Sequence, residues 1–565
     1  MEWGMSGHFG APEAVASLAS EVWEALVARE PYYAARTGRS VERIPGGTLA
    51  EAEAVSAAAR ARLRRLDSID QGSLSRSERL TARYLATVLR EEIEEPDRWW
   101  TSFGVAPYTL SAQSLLPELV FRRLPLQSTT DCDRYLSLLD DLAASIGAWQ
   151  ERIRAQAEQR WYIPRPALAG VRATLERLRA SFGTSLIPSE DRATERTRQR
   201  IGLALQQRIA PAFNKLLEAL GPEYERRTPV TVGLGQFPRG PEAYARWVRY
   251  HLSSEADPDH IHAIGLEEVA RLRTAMAELR SSAFGWNGSE ADFHAQLRSD
   301  PRAKAATPEA LEQTYRKHLM QMEALLPTLI QQLPRARPTL CRLPPTLEVG
   351  MTFGYYDPPT AGRDFGIYYY SGYGLEDRLQ MNAASLMFHE LIPGHHVQLA
   401  RQFENTRLPD IRRHTLLFSS FTEGWAEYSA GLGEEFDAYS DPYDLYGWLA
   451  HQRFTAQRLV VDTGLNWRGW SLSQAREYMA ANTLEAAPQI ASETIRYSTD
   501  LPGQALSYRM GFQKFRALRR EAEQRLGGQF DLTEFHEAIL SEGSLPPAVL
   551  QSSLTEWADL RATGH

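Results

Sequence analysis

From Glu13 to about Leu220, apolar residues recur three and four positions apart. Tyr135, Leu136, Leu138, Leu139, Leu142, Ile146 and Trp149 form one such stripe, and the spacing predicts amphipathic helices packed on one another through these faces. The period breaks at Arg227–Pro238, where Pro229, Gly233, Gly235 and Pro238 interleave with Val230 and Val232. Residues of this kind end helices, so a boundary is expected there between an N-terminal helical lobe, 1–230, and a second helical lobe, 231–565. Helical spacing resumes at Pro258–His262 and runs through Glu267, Val269, Leu272 and Met276, with an acidic residue at the start where the helix dipole favours it. It lapses again from Pro344 to Gly374, where Gly366–Ser371, rich in aromatic and β-branched residues, predicts a short strand. We place that strand at the wall of the functional site, where an edge strand could pair with an extended peptide; an ordinary structural hairpin is the alternative. The expected fold is mainly α, a large multi-helix body with a deep central cleft and a few short strands near the site.

Composition narrows the class of protein. A chain of 565 residues with 43% hydrophobic and 24% charged residues can bury a large core, and it belongs with ordinary globular proteins. Its 63 basic and 71 acidic side chains leave a net charge of −8, with no counterion-release drive toward nucleic acid. Cys132 and Cys341 lie far apart with no C-x-x-C pattern, so neither a disulfide framework nor a cysteine metal site is expected. Met1–Gly10 lacks a basic region followed by an apolar run. Eighteen consecutive apolar residues occur nowhere. A cytoplasmic location without nucleic-acid or membrane partners is therefore expected.

The candidate chemistry lies in His389-Glu390-Leu391-Ile392-Pro393-Gly394-His395-His396. Asn382–Phe388 before it is good helix-forming sequence, so His389 and Glu390 occupy adjacent helical positions. Pro393 then interrupts the hydrogen-bond ladder, and Gly394 relaxes the backbone before His395–Ala400 resumes a helical pattern. In the H-E-x-x-H signature, histidines four apart share a helix face and grip one metal while the glutamate activates water. Here the fourth position is Pro393, which cannot bind metal. On an unbroken helix His396 returns to the face of His389 but ~10 Å further along the axis. A bulge at Pro393-Gly394 that absorbs two residues would instead bring His395 into the ligand position. Both remain candidates for the second ligand, His395 slightly ahead, and the other would support the site or touch substrate.

A hydrolytic zinc site takes three protein ligands and keeps one position open. Thr422–Tyr428 offers the third: Glu423 and Glu427 are four apart, facing the same way on a helix, and Gly424 permits close helix packing. Glu423 is the expected third ligand to one zinc ion, and Glu390 the expected general base and acid. His251, His260, His262, His414, His451 and His536 stand singly and are read as structural. Walker, G-x-G-x-x-G and G-x-S-x-G patterns are absent.

These segments carry a family resemblance. His389–Gln398, Thr422–Tyr428, Arg458–Leu465, Arg496-Tyr497 with Pro502–Tyr508, Phe530–His536 with Gly543–Pro546, and His260–Val269 resemble the bacterial family catalogued as domain of unknown function 885. Before His260 the likeness is one of general pattern. That family in turn resembles helical zinc peptidases of the gluzincin type, which hold substrate in a channel between helical lobes, and the resemblance implies a zinc peptidase. In those relatives a tyrosine from a late helix steadies the tetrahedral oxyanion. The resemblance carries this role to Tyr508, with Tyr497 second; the physical need is a neutral donor about 3 Å from the developing charge. Two positions depart from the family pattern: Asn466, commonly histidine, and Glu427, usually apolar. Arg458 and Asp462, four apart, could pair across a helix turn.

The expected activity is zinc-dependent hydrolysis of peptide bonds in short peptides. The alternatives are a metal-dependent amidohydrolase of a small non-peptide amide, and a non-catalytic peptide-binding protein on a metallopeptidase scaffold. Retention of Glu390 beside His389 argues against the binder, which has no need of a base next to a ligand. Nitrogen and carboxylate ligands leave cobalt or manganese open beside zinc.

Overall fold

The computed structural model describes residues 10–344, 348 and 354–563. Met1–Phe9, and residues 345–347 and 349–353 within the stretch expected to lack helix, lie outside the described residues. Helix makes up 71% of the chain and strand 3%, so the fold is mainly α with one small sheet. No helix among the described residues is long and apolar enough to cross a membrane.

The chain forms two compact units. The first comprises the residues up to Pro229 together with Thr406–Thr415; the second comprises Val230–Asn405 and Leu416–His565. In the first unit the apolar stripes become the long helices Ala11–Arg29, Leu49–Asp67, Arg76–Ile93, Thr129–Glu158 and Arg165–Ser185. Several of their starts are set by a hydroxyl residue with an acid three positions on. Thr48 with Glu51, Ser75 with Glu78 and Ser128 with Asp131 each close a reciprocal capping box, which satisfies amides that a first helical turn leaves without partners. Leu138, Leu139, Leu142 and Ile146 are all buried, each worth roughly 1.5–3 kcal/mol of apolar transfer. Thr406–Thr415 is tied into this unit by polar contacts. The Tyr84 hydroxyl donates to the Ile411 carbonyl at 3.2 Å, and the fully buried Arg412 donates to Thr81 Oγ1 at 3.1 Å.

The helices of the second unit that position the site are α1 (Pro258–Phe284), α2 (Pro308–Leu329), α3 (Ala383–Glu390), α4 (His395–Glu404), α5 (Ser419–Glu435), α6 (Pro442–Asn466) and α7 (Leu506–Leu526). Asp257 caps α1, accepting from the Asp259 amide at 3.1 Å. Helix α6 is buried along most of its length and packs against α1, α3 and α7, while α5 packs against α3 and α7. The sheet consists of β1 (Arg337–Arg342), β2 (Tyr355–Asp357) and β3 (Phe365–Tyr370) in the order β1-β3-β2, with β1 parallel and β2 antiparallel to β3. The strand expected at Gly366–Ser371 is thus β3, but it lies in the centre. With both rims paired, it cannot serve as the edge strand envisaged for peptide binding. Strand β1 is not predicted by the sequence, since Arg337-Pro338-Thr339-Leu340-Cys341-Arg342 alternates weakly and carries a proline.

The close packing of α5 on α7 depends on two glycines. A Cβ at Gly424 would stand 2.7 Å from Gly511 Cα, and one at Gly511 would stand 2.4 Å from the Ser420 carbonyl oxygen. Because backbone cannot give way as a flexible side chain can, Gly424→Val is expected to destabilise the protein by at least ~1–3 kcal/mol. The check is its melting temperature beside that of the wild type, where coincident melts would refute the packing argument.

Candidate metal centre

Helix α3 ends one residue after His389. Leu391 leaves helical geometry at φ −115°, ψ −87°, the Ile392-Pro393 peptide is cis, and α4 begins at His395. The backbone breaks completely here, where the sequence suggested a bulge within one helix. Gly394 packs onto the end of α3: a Cβ there would fall 1.9 Å from the His389 carbonyl oxygen and 2.5 Å from that of Phe388, so the chain can return this closely only with glycine. Trp425 of α5 donates from Nε1 to the Pro393 carbonyl at 3.0 Å, which fixes the break against α5. As a result His395, the first residue of α4, stands edge-on to His389 with ring centroids 4.8 Å apart.

Glu423 completes a triad. His389 Nε2 and His395 Nε2 each lie 3.5 Å from Glu423 Oε2, a buried oxygen that receives no hydrogen bond among the described residues. Zinc bonds of ~2.0–2.1 Å in a tetrahedron put ligand atoms ~3.4 Å apart. The observed separation matches that spacing and is long for a hydrogen bond. His389, His395 and Glu423 could therefore hold one divalent ion.

Behind His389 stands Glu427, whose Oε1 lies 3.2 Å from His389 Nδ1 and accepts a hydrogen bond from His451 Nε2 at 2.7 Å. Nδ1 makes no aligned hydrogen bond, but a carboxylate this close favours the proton on Nδ1 and leaves Nε2 to bind metal. Burial opposes charge on His389, yet Glu423 and Glu427 outweigh it and push the imidazole up to about 10. Burial likewise opposes ionisation of the two glutamates, but their histidine neighbours hold both well below the usual carboxylate range. The cluster calls for positive charge, and a bound cation would supply it in place of protons. The sequence reading missed this role of Glu427 and His451. Their signal was a second glutamate, Glu427, one helical turn after Glu423.

Glu390 follows His389 on α3, and its carboxylate makes no hydrogen bond or ion pair among the described residues. Burial, chiefly, raises its pKa above the ordinary value. Tyr508, on α7, lies with its ring parallel to that of His389, centroids 6.2 Å apart and planes 13° apart. The structure thus gathers His389, His395, Glu423, Glu390 and Tyr508.

It does not gather His396. The Ala336 carbonyl can only accept, so His396 Nε2 donates to it at 2.9 Å and Nδ1 accepts from the Tyr356 hydroxyl at 2.8 Å. Burial foremost lowers this imidazole to about 4, and neither nitrogen is left for a metal. His396 is accordingly removed from the candidate ligands and instead ties α4 to the sheet. Tyr497 is also engaged elsewhere, its buried hydroxyl accepting from Arg458 Nε at 2.8 Å and donating to Glu493. Arg458 and Asp462 do not pair. Asp462 instead accepts from the Tyr244 hydroxyl at 2.7 Å and from the Gly503 amide at 3.0 Å. Asn466 is a structural clasp, accepting from the Leu234 amide at 2.9 Å and donating to the Tyr497 carbonyl at 2.9 Å.

A model of the family described as bacterial protein of unknown function (DUF885) matches residues 31–554. The chain belongs to this family. The match takes in the helices before His260, where the sequence motifs showed only a general likeness. A crystal structure described as that of a candidate lipoprotein from Colwellia psychrerythraea is 24% identical, with a TM-score of 0.88 over 97% of this chain and 99% of that one. A candidate lipoprotein of unknown function from Shewanella oneidensis is 15% identical, with a TM-score of 0.74 over 97% and 100% of the two chains. At these identities the likeness establishes a shared fold. No curated protein matches the chain.

For this DUF885 member, metal content separates the two adjacent histidines. After equilibration with zinc and desalting, the wild type is expected to keep about one ion per chain and His395→Ala to lose it, whereas His396→Ala keeps it. Glu427→Gln is expected to weaken zinc affinity ~10–100-fold. Mass spectrometry of the three variants reads the result, and loss of zinc from His396→Ala alone would overturn the assignment.

Proposed function

We propose that the protein is a single-zinc peptidase acting on short peptides, of the kind represented by helical gluzincin-type enzymes. The observation that carries this reading is the convergence of His389, His395 and Glu423 at metal-ligand spacing beside an unengaged glutamate. When bound, zinc would supply Lewis-acid polarisation of a water and of the scissile carbonyl. Glu390 takes up the proton of the attacking water on its carboxylate, and its raised pKa makes it the stronger acceptor. Protonated, the same carboxyl then passes the proton to the departing amine. Tyr508, parallel to the His389 ring, offers a phenolic donor to the oxyanion of the tetrahedral state. Glu427 keeps His389 in one tautomer throughout.

Two substitutions test the division of labour on a panel of di- to decapeptides. Glu390→Gln is expected to retain zinc while hydrolysis falls ~10²–10⁴-fold, and Tyr508→Phe to lower kcat ~10²–10³-fold. Equal turnover by Glu390→Gln would remove the mechanism. Cleavage of simple acyl amides with no cleavage of peptides would replace the peptidase with an amidohydrolase.

A further inference from the structure

Arg458 is a buried cation whose donors are only partly used. It lies on α6, 6% exposed, with Nε donating to the Tyr497 hydroxyl at 2.8 Å and Nη2 to Glu493 Oε2 at 3.0 Å. A guanidinium offers five N–H donors, and Arg458 makes no further hydrogen bond among the described residues, which leaves its Nη1 amino group free. The group lies over two aromatic rings, Cζ being 4.4 Å from the Phe454 centroid and 4.5 Å from that of Tyr508. Stacking of this kind occupies the face of the guanidinium and leaves its edge as the direction from which a planar anion can approach.

Glu493 serves both Arg458 and Arg496, the latter at 3.3 Å, and accepts from Tyr497 as well. Glu485, a further carboxyl near Arg458, forms no ion pair among the described residues, and burial first, then the charge of Glu493, push it up to about 7. Glu493 is thus committed on several sides, and the Nη1 edge of Arg458 is left without an anionic partner among the described residues. The tyrosine that Arg458 covers is also the one whose ring parallels His389, so Arg458 and the metal-ligating cluster share Tyr508 as a common neighbour.

We infer that Arg458 receives a carboxylate of the substrate, which makes the protein an exopeptidase that cleaves close to a free C-terminus. The inference deepens the zinc-peptidase reading of the same site and rests on it. Extended chain advances ~3.3–3.6 Å per residue, so one or two residues beyond the cleaved bond would bring a terminal carboxylate past the ring of Tyr508 to the guanidinium edge. There it can form a charge-assisted, bidentate pair. A C-terminal carboxamide offers only one acceptor and no charge.

The test compares matched tripeptides with the zinc-loaded wild type: free acid, C-terminal carboxamide, and N-acetylated free acid. The carboxamide is expected to be cleaved with kcat/KM lower by ~10–100-fold, the worth of a hydrogen bond to a charged group, while N-acetylation has little effect. Equal cleavage of acid and carboxamide, or internal cleavage of long peptides blocked at both ends, overturns the inference with the peptidase reading intact. Arg458→Lys is expected to raise KM for the acid and narrow the gap, its fold verified by circular dichroism. Because this buried substitution can itself unfold the chain, the comparison on the wild type stands alone if it does. Should no peptide be cleaved, calorimetric titration of the metal-free wild type with the same acid and carboxamide decides: ~10-fold tighter binding of the acid supports Arg458 as the receptor, and equal binding refutes it.

Discussion

Glu423 and Glu427 stand one helical turn apart on α5 and meet the two nitrogens of the same ring, His389, at 3.5 and 3.2 Å. Ionised buried carboxylates need positive partners or hydrogen-bond donors at close range, and among the described residues every ion pair of these two glutamates is with a histidine. That requirement draws α3, α4, α5 and α6 onto one point. It explains why Gly394 must lie against the carbonyl of His389, why Trp425 holds the Pro393 carbonyl, and why α5 and α7 touch through Gly424 and Gly511 without intervening side chains.

Around that point, satisfied and unsatisfied polar groups sort into two kinds. His396, Asp462, Asn466 and Tyr497 have their hydrogen-bonding capacity taken up by neighbours on other elements, and their work is to join α4 to the sheet and α6 to the segments beside it. Among the described residues, Glu423 Oε2, Glu427 Oε2 and the Nδ1 atoms of His389 and His395 are buried without a hydrogen bond, the Glu390 carboxylate makes none, and Arg458 bonds only through Nε and Nη2. Since buried polar groups in folded proteins are nearly always paired, a cluster of leftovers in one region makes it a candidate binding site. The division follows from geometry and needs no assumption about the reaction.

The sequence carried the mainly helical fold clearly, because the apolar stripes and the hydroxyl-acid capping pairs are local signals. His389, Glu390, His395 and Glu423 were also legible, from ligand chemistry and spacing together. The choice between His395 and His396 was less so, since it depends on where the chain goes after Pro393, and that is set by Trp425 and by space that only Gly394 leaves. Glu427 was seen to share a helix face with Glu423, but its meeting with His389 and His451 escaped notice because it spans separate helices and His451 looked like an isolated ring. Arg458 and Asp462 looked like a helix-turn pair, yet each found a better partner far away in sequence, Glu493 for one and Tyr244 for the other. Strand β3 was visible as a strand, but its central position depends on β1, whose proline-bearing sequence gives little sign of pairing.

The short excursion Thr406–Thr415 bears on how the molecule can be divided. The chain passes into the second unit at Val230, leaves it after Asn405 and enters it again at Leu416. A recombinant fragment starting at Val230 would carry Arg412 and Ile411 without Thr81 and Tyr84, stripping a fully buried guanidinium of a partner and baring the surface around it. One proteolytic nick at the boundary would leave both pieces entangled, and the half that holds the candidate metal centre is not a self-contained cassette.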